Sequence, residues 1–86
     1  MRVNVKLFAQ LRDTTGAGDL TVDLKVDQKN DGATVNDVWR ALVASHPALA
    51  PFESSVSCAV NATYARKHTH VNAGDEVAFL PPVSGG

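Results

Sequence analysis

The residues best suited to chemistry are the last six, which read Pro-Pro-Val-Ser-Gly-Gly at positions 81–86. Each proline ring fixes its own φ and disfavours the helical region for the residue before it, so Pro81 and Pro82 predict a stiff, extended spacer. Gly85 and Gly86 have no side chain, and a narrow channel would admit them as far as a terminal carboxylate. We therefore interpret the Gly86 carboxylate as the reactive group of the chain.

The composition limits the classes of function. The chain has 86 residues and a formal net charge of -1, which argues against a nucleic-acid binder because such proteins present a basic face. No apolar run approaches the ~18 residues of a membrane span, and no signal-peptide pattern is present. Cys58 is the single cysteine, so an internal disulfide is impossible and we expect a cytoplasmic protein.

Apolar and polar residues alternate in several segments, which is the pattern of strands with one buried face. The predicted strands cover residues 2–8, 20–26, 56–61 and 76–80, with a short edge strand around Tyr64. Phe8 and Leu80 are apolar residues on faces predicted to point outward. Phe8 is either an aromatic that folds over the edge of the core or an exposed anchor for a partner, because aromatic residues are enriched in interfaces.

One amphipathic helix of roughly three turns is predicted after Thr34. Thr34 is a good N-cap, and Asp37 three residues later forms a capping box and suits the positive end of the helix dipole. Pro47 ends the helix, and a brief helical turn follows. Trp39 and Cys58 are assigned to the core; since a buried thiol is normally inert, Cys58 is not interpreted as a sulfur-transfer nucleophile.

The order strand, strand, helix, strand, short strand, strand is most simply buried by one helix on one face of a mixed sheet. The predicted fold class is therefore α+β: a β-grasp (ubiquitin-like) architecture with a four- to five-stranded mixed sheet and one main helix packed on one face. The first and last strands would run parallel in the sheet centre. Residues 1–80 would form this single domain, and residues 81–86 a flexible tail.

Three stretches resemble the MoaD-type sulfur carriers, the small subunits of molybdopterin synthase in the ThiS/MoaD ubiquitin-like family. They are residues 5–12 (VKLFAQLR), 59–61 (AVN) and 74–86 (GDEVAFLPPVSGG). The last stretch is the most specific, since a terminal Gly-Gly alone is shared with ubiquitin and several carriers. Two departures are Leu80, where the family frequently has an aromatic residue, and the polar segment 27–32, which is longer than usual.

The resemblance implies a mechanism in which the chain is not catalytic alone. A MoeB-type enzyme would adenylate Gly86 with ATP, because this chain has no phosphate-binding loop of the GxxxxGK[ST] type and would bind no cofactor itself. Sulfur would then displace AMP to give a thiocarboxylate. The tail would enter a MoaE-type large subunit, in a heterotetramer, where sulfur would pass to the pterin precursor, cyclic pyranopterin monophosphate.

The same resemblance assigns roles to individual residues. Gly86 would carry the acyl-adenylate and the thiocarboxylate, and Gly85 would give clearance. Partners would contact two apolar anchors and the spacer of the tail, namely Phe8, Leu80, Pro81, Pro82, Val83 and Ser84.

Other uses of a Gly-Gly end stay open. A carrier for thiazole and thiamine synthesis, tRNA thiolation or cysteine synthesis would end in the same way. So would a ubiquitin-like modifier that is joined through Gly86 to lysines of target proteins, or an interaction module with an idle tail. His68 and His70 would share a strand face, but without a third defined ligand they do not make a zinc signature, and no metal site is assigned.

Overall fold

The computed structural model describes residues 1–25 and 32–82, and the structural statements below concern these residues. The strands are β1 (Arg2–Leu7), β2 (Asp19–Asp23), β3 (Ala33–Thr34), β4 (Ser57–Val60), β5 (Thr63–Ala65), β6 (His70–Val71) and β7 (Glu76–Leu80). The helices are α1 (Ala9–Thr15), α2 (Val35–Ser45) and a 3-10 helix at Pro47–Phe52.

A mixed sheet is built in the strand order β2-β1-β7-β4-β5. In its centre β7 pairs in parallel with β1 on one side and antiparallel with β4 on the other. The antiparallel pairs β1–β2 and β4–β5 complete the two halves of the sheet. The predicted parallel pairing of the first and last strands is confirmed. The assignment of residues 1–80 to one domain and 81–86 to a flexible tail stays a prediction.

The core lies between the inner face of this sheet and α2. Alternate residues of the central strands point inward and are buried, namely Val3, Val5, Leu7, Val77 and Phe79. Trp39 on α2 is 1% exposed, and the centroid of its ring lies 5.1 Å from that of Phe79 at an interplanar angle of 55°. Such tilted aromatic pairs contribute about 0.5–1.5 kcal/mol beyond the burial of their area. The predicted core position of Trp39 is confirmed.

The predicted capping box of α2 is present. The Asp37 backbone N–H donates to Thr34 Oγ1 at 3.4 Å, and the Thr34 N–H donates to Asp37 Oδ2 at 2.9 Å. An N-cap of this kind contributes about 1 kcal/mol. The helix ends at Ser45, and Pro47 opens the 3-10 helix that follows, as the sequence predicted.

Several boundaries differ from the predicted ones. β2 spans Asp19–Asp23 where the sequence predicts a strand at 20–26, and β4 spans Ser57–Val60 where it predicts 56–61. The first strand ends at Leu7, because Phe8 is the extended N-cap residue of α1. The residue types at 13–18 (DTTGAG) predict a loop or turn, whereas α1 continues to Thr15 and ends at Gly16, whose φ of 79° provides a left-handed C-cap. Glycine is the residue that best tolerates this conformation.

Sequence reasoning missed the small antiparallel sheet formed by β3 and β6. Each of these strands has two residues, which is too short to show an alternating pattern. Val26, the predicted last residue of the second strand, and residues 27–31 of the polar segment 27–32 lie outside the described residues.

The turn between β4 and β5 is tied to the start of β7. Asn61 and Ala62 both have positive φ, 50° and 69°, as in a type I′ hairpin turn. The Asn61 side chain donates to Asp75 Oδ1 at 3.1 Å and accepts from the Glu76 N–H at 3.0 Å. The second oxygen of Asp75 accepts from the Asn72 N–H at 2.8 Å. This network fixes the hairpin against the central strand.

The left-handed position of Ala62 gives a stability prediction. A non-glycine residue in this region costs about 1–2 kcal/mol, whereas glycine adds about 0.5–1 kcal/mol of chain entropy to the cost of folding. We expect Ala62→Gly to raise the free energy of unfolding by about 0.5–1 kcal/mol, measured by urea denaturation. The matched substitution Ala65→Gly, within β5, should lower it. A lower midpoint for Ala62→Gly would contradict the prediction.

Asp75 gives a prediction for pH dependence. Hydrogen bonds from the Asn72 backbone and the Asn61 side chain hold the pKa of Asp75 below its ordinary value of 3.8. A depressed folded-state pKa stabilises the fold above the unfolded-state pKa, and this stability is lost as pH falls through the folded-state value. We therefore expect Asp75→Asn to be less stable than the wild type at pH 7, and the difference to shrink below pH ~4. Asn61→Ala, which removes one donor to Asp75, should weaken this pH dependence. If the stability difference between Asp75→Asn and the wild type persists at low pH, the prediction is contradicted.

Candidate functional site

The outer face of the sheet, opposite α2, carries an ordered row of side chains. The strand registers align Asp19, Lys6, Ala78, Ala59 and Tyr64 across β2, β1, β7, β4 and β5. The positions on β7 and β4 are alanines, whereas longer side chains stand on either side of them. The sheet surface is therefore lowest over the neighbouring strands β7 and β4.

This depression is a groove of about 300 Å³, which we call the alanine groove. Ala59 and Ala78 form its floor, and Leu80 and Glu76 flank Ala78 on β7. The complete lining is Phe8, Ala59, Ala62, Tyr64, Glu76, Ala78 and Leu80. Phe8 is 43% exposed and Tyr64 is 82% exposed. A concave apolar surface with exposed aromatic side chains on its rim has the composition of a protein interface.

Phe8 and Leu80 both line the alanine groove. Of the two interpretations of Phe8, the exposed position fits its 43% exposure, and the residue is not part of the core. Leu80 is half-buried at the end of β7. The assignment of both residues as contacts for a partner stays a prediction.

Charged residues lie on the other side of the outer face. Lys6 Nζ and Asp19 Oδ1 are 3.1 Å apart. The hydrogen bond to Asp19, the charge of Asp19 and the charge of Glu76 together raise the pKa of Lys6. Glu76 lines both the alanine groove and a second depression that Lys6 also lines. It therefore marks the boundary between the apolar and charged parts of the surface.

The tail leaves the sheet at the end of its central strand. Leu80 pairs with Ser57 of β4, after which Pro81 is half-buried and Pro82 is exposed. The remaining predicted site residues, Val83, Ser84, Gly85 and Gly86, lie outside the described residues. The tail thus begins next to the alanine groove, since Leu80, the residue immediately before it, lines the groove.

Cys58 is a core residue, as predicted. It is 5% exposed, and its Sγ donates to the Ala65 carbonyl at 3.2 Å. Burial raises the pKa of the Cys58 thiol, although the charge of Lys67 opposes this shift. Because the thiolate is the nucleophilic form, this residue is a poor nucleophile at neutral pH.

The two histidines considered as metal ligands lie near β6. His70 is in the strand and His68 is in the turn before it, and both side chains are exposed. Across residues 1–25 and 32–82, no group of three or more His, Cys, Asp or Glu side chains is arranged to hold a metal ion.

Sequence reasoning placed Tyr64 on an edge strand but did not assign it to the site. It also missed the role of Ala59 and Ala78 as a floor. The available signal was the alternation itself, since both alanines fall on the outer face of their strands. Their alignment depends on the β4–β7 register, which a single-strand pattern does not determine.

The fold and the strand order define a ubiquitin-like β-grasp protein. The crystal structure of SAMP1 from Haloferax volcanii superposes with a TM-score of 0.83 at 35% sequence identity, covering 100% of both chains. The predicted fold class is confirmed.

The ThiS family model matches residues 5–86, and the chain belongs to this family. It is 35% identical over 88 residues to the molybdopterin synthase sulfur carrier subunit of Chlamydomonas reinhardtii, covering 100% of both chains. It is also 37% identical over 89 residues to small archaeal modifier protein 1 of Haloferax volcanii, covering 94% of this chain and 97% of the relative. The helices of the described residues do not have the length and apolar character needed to cross a membrane.

The position of Phe8 and Leu80 outside the core gives a stability prediction. We expect the double variant Phe8→Ala/Leu80→Ala to stay folded and to lose less than about 2 kcal/mol, since Phe8 is an exposed residue and Leu80 a half-buried one. Phe79→Ala, the neighbouring core substitution, should cost about 3–5 kcal/mol. Circular dichroism and urea denaturation measure both. Unfolding of the double variant would make the two residues part of the core.

Proposed function

We propose that this chain is the sulfur carrier subunit of a molybdopterin synthase and that the Gly86 carboxylate carries the sulfur. The observation that supports this best is the start of the tail at Leu80, where the central strand ends beside the alanine groove. A partner that binds the groove receives the tail from a fixed point. The six residues after Leu80 span at most about 20 Å, so the partner's reaction centre lies within that distance of β7.

The chemistry begins with activation of the terminal carboxylate. A carboxylate is a poor acyl donor until one of its oxygens becomes part of a good leaving group. ATP bound to a MoeB-type enzyme supplies that group: a Gly86 oxygen attacks the α-phosphorus, pyrophosphate leaves and an acyl-adenylate forms. Sulfur then displaces AMP and leaves a thiocarboxylate. In this scheme ATP belongs to the activating enzyme and not to this chain.

The sulfur is then delivered inside a second partner. The tail enters a MoaE-type large subunit, where the thiocarboxylate gives its sulfur to cyclic pyranopterin monophosphate, and a water oxygen replaces that sulfur to restore the Gly86 carboxylate. Gly85 and Gly86 fit a narrow channel because they have no side chains. Phe8 and Leu80 supply apolar contact at the channel entrance, with Pro81, Pro82, Val83 and Ser84 as the spacer. The working assembly is a heterotetramer of two small and two large subunits.

A second candidate function is that of a ubiquitin-like protein modifier. The similarity to small archaeal modifier protein 1, at 37% identity, favours it specifically. The same acyl-adenylate serves both functions, since attack by a lysine amine in place of sulfur gives an isopeptide bond. The two functions therefore differ in the nucleophile that meets Gly86.

Intact mass spectrometry tests the proposed function. The chain is incubated with the MoeB-type enzyme of its own organism, ATP and a sulfur donor. We expect a mass gain equal to the replacement of one oxygen by sulfur in the full chain, and none in a chain that lacks Gly86.

One control and one further measurement decide between the two candidate functions. A carrier of known activity, treated in parallel, verifies that the reaction mixture works. If that control gains sulfur and this chain does not, the carrier function is contradicted. Gly-Gly remnants of this chain on lysines in cell extracts would then support the modifier.

A further inference from the structure

The turn between β4 and β5 determines which backbone groups of β5 are paired. Two residues of positive φ, Asn61 and Ala62, connect the facing residues Val60 and Thr63. In such a two-residue turn the flanking residues form a hydrogen-bonded pair. Hydrogen-bonded and non-hydrogen-bonded pairs then alternate along an antiparallel ladder. The next pair, Ala59 and Tyr64, is therefore a non-hydrogen-bonded pair.

The backbone N–H and C=O of Tyr64 consequently point away from β4. In the described part of the chain β5 is the last strand on its side of the sheet, so these groups face the open edge. The backbone groups of the next outward-facing residue, Arg66, already have hydrogen-bond partners. The Arg66 N–H donates to Thr69 Oγ1 and the Arg66 C=O accepts from the Thr69 N–H, both at 3.0 Å. The open edge is therefore centred on Tyr64 alone.

This edge and the alanine groove form one continuous surface. The Tyr64 side chain is part of the groove lining, and its backbone lies at the sheet margin next to the groove. Glu76 provides a carboxylate on the lining. Within residues 1–25 and 32–82 the ion pairs join Arg2 to Asp23 and Lys6 to Asp19, and neither involves Glu76. A docking segment can thus meet a hydrogen-bonding edge, an apolar floor and a negative charge together.

We propose that the large subunit binds by adding a strand to β5 at Tyr64. The added strand exchanges hydrogen bonds with the Tyr64 N–H and C=O, and the partner places an apolar side chain on Ala59 and Ala78 and a lysine or arginine near Glu76. This proposal rests on the proposed function for the identity of the partner. Its content is the mode of binding, which is β-augmentation.

The short edge explains why the groove is needed. Two backbone hydrogen bonds at one residue are a small gain against the cost of association. Affinity therefore depends on the Tyr64 ring and the apolar floor, whereas the edge sets the register of the partner. A one-residue edge also limits unwanted pairing between sheets, which long exposed edges promote.

Amide hydrogen exchange resolved by NMR tests the edge directly. In the free chain we expect slow exchange at Thr63 and Ala65, whose N–H groups pair with β4, and fast exchange at Tyr64. Addition of the large subunit from the same organism should slow exchange at Tyr64 by at least about tenfold, as a newly formed backbone hydrogen bond requires. Thr63 and Ala65 serve as internal controls because they are protected in both states.

Substitutions at Tyr64 separate its ring from its N–H. Calorimetric titration with the large subunit should give an unchanged Kd for Tyr64→Phe and a Kd raised about tenfold for Tyr64→Ala. Tyr64→Pro, which also removes the outward N–H, should raise Kd a further fivefold or so. Proline is tolerated where the N–H faces an open edge, and a thermal melt of each variant verifies the fold.

The contribution of the Glu76 charge to binding is tested with a matched pair of variants. Glu76→Gln should raise Kd about fivefold and reduce its dependence on salt. Glu53→Gln, at an exposed residue after the 3-10 helix, should change neither.

The outcomes separate the proposal from the function on which it rests. Binding of the large subunit with fast exchange at Tyr64, or equal Kd values for Tyr64→Ala and Tyr64→Pro when both are folded, would overturn strand addition and leave the carrier function standing. Failure of the wild-type chain to bind the large subunit would overturn the carrier function and this proposal with it. Protection of Tyr64 in the chain alone, increasing with concentration, would assign the edge to a second copy and overturn the proposal.

Discussion

The pairing of β7 on both sides is the constraint on which the rest of the structure depends. One ladder joins it in parallel to β1 and another joins it antiparallel to β4, so the last described strand is also the most enclosed. Phe79 then packs inward against Trp39, while Ala78 and Leu80 point outward. A tail that starts from such a strand has a fixed origin, because β7 cannot shift without breaking two ladders and the core.

Because successive side chains of a strand point to opposite faces, the two faces of the sheet have different roles. Large apolar side chains on the inner face make the core, and the outer face carries small, polar and charged residues together with Phe8, Tyr64 and Leu80. The alanines at 59 and 78 contribute little to stability where they stand, since a methyl group on a solvent-facing strand buries little area. In the proposed interface their role is steric, since they would let the large subunit approach the backbone of β7 and β4.

The sequence predicted the fold well because its main signals are local. Alternation in β1 and β7, the Thr34–Asp37 capping box and Pro47 each specify an element through neighbouring residues. The two-residue strands β3 and β6 carry no such signal and form through a long-range pairing. The candidate site shows the same contrast between local signals and long-range pairing. Phe8 and Leu80 stand out by strand parity alone, whereas the groove that joins them to Tyr64 arises from three separate strand registers.

The groove lies beside the tail and not within it, and this separation suggests how proteins with the same Gly-Gly end can serve different reactions. Activation requires only a terminal carboxylate that reaches the adenylating centre, and a Gly-Gly end meets that requirement in a sulfur carrier and in a modifier alike. The tail therefore carries little information about the destination of the acyl group. That information resides in the surface that chooses the partner, because the partner supplies the nucleophile. In the interface proposed for this chain, the surface joins a one-residue edge at Tyr64, an alanine floor and the charge of Glu76, and the large subunit would match all three.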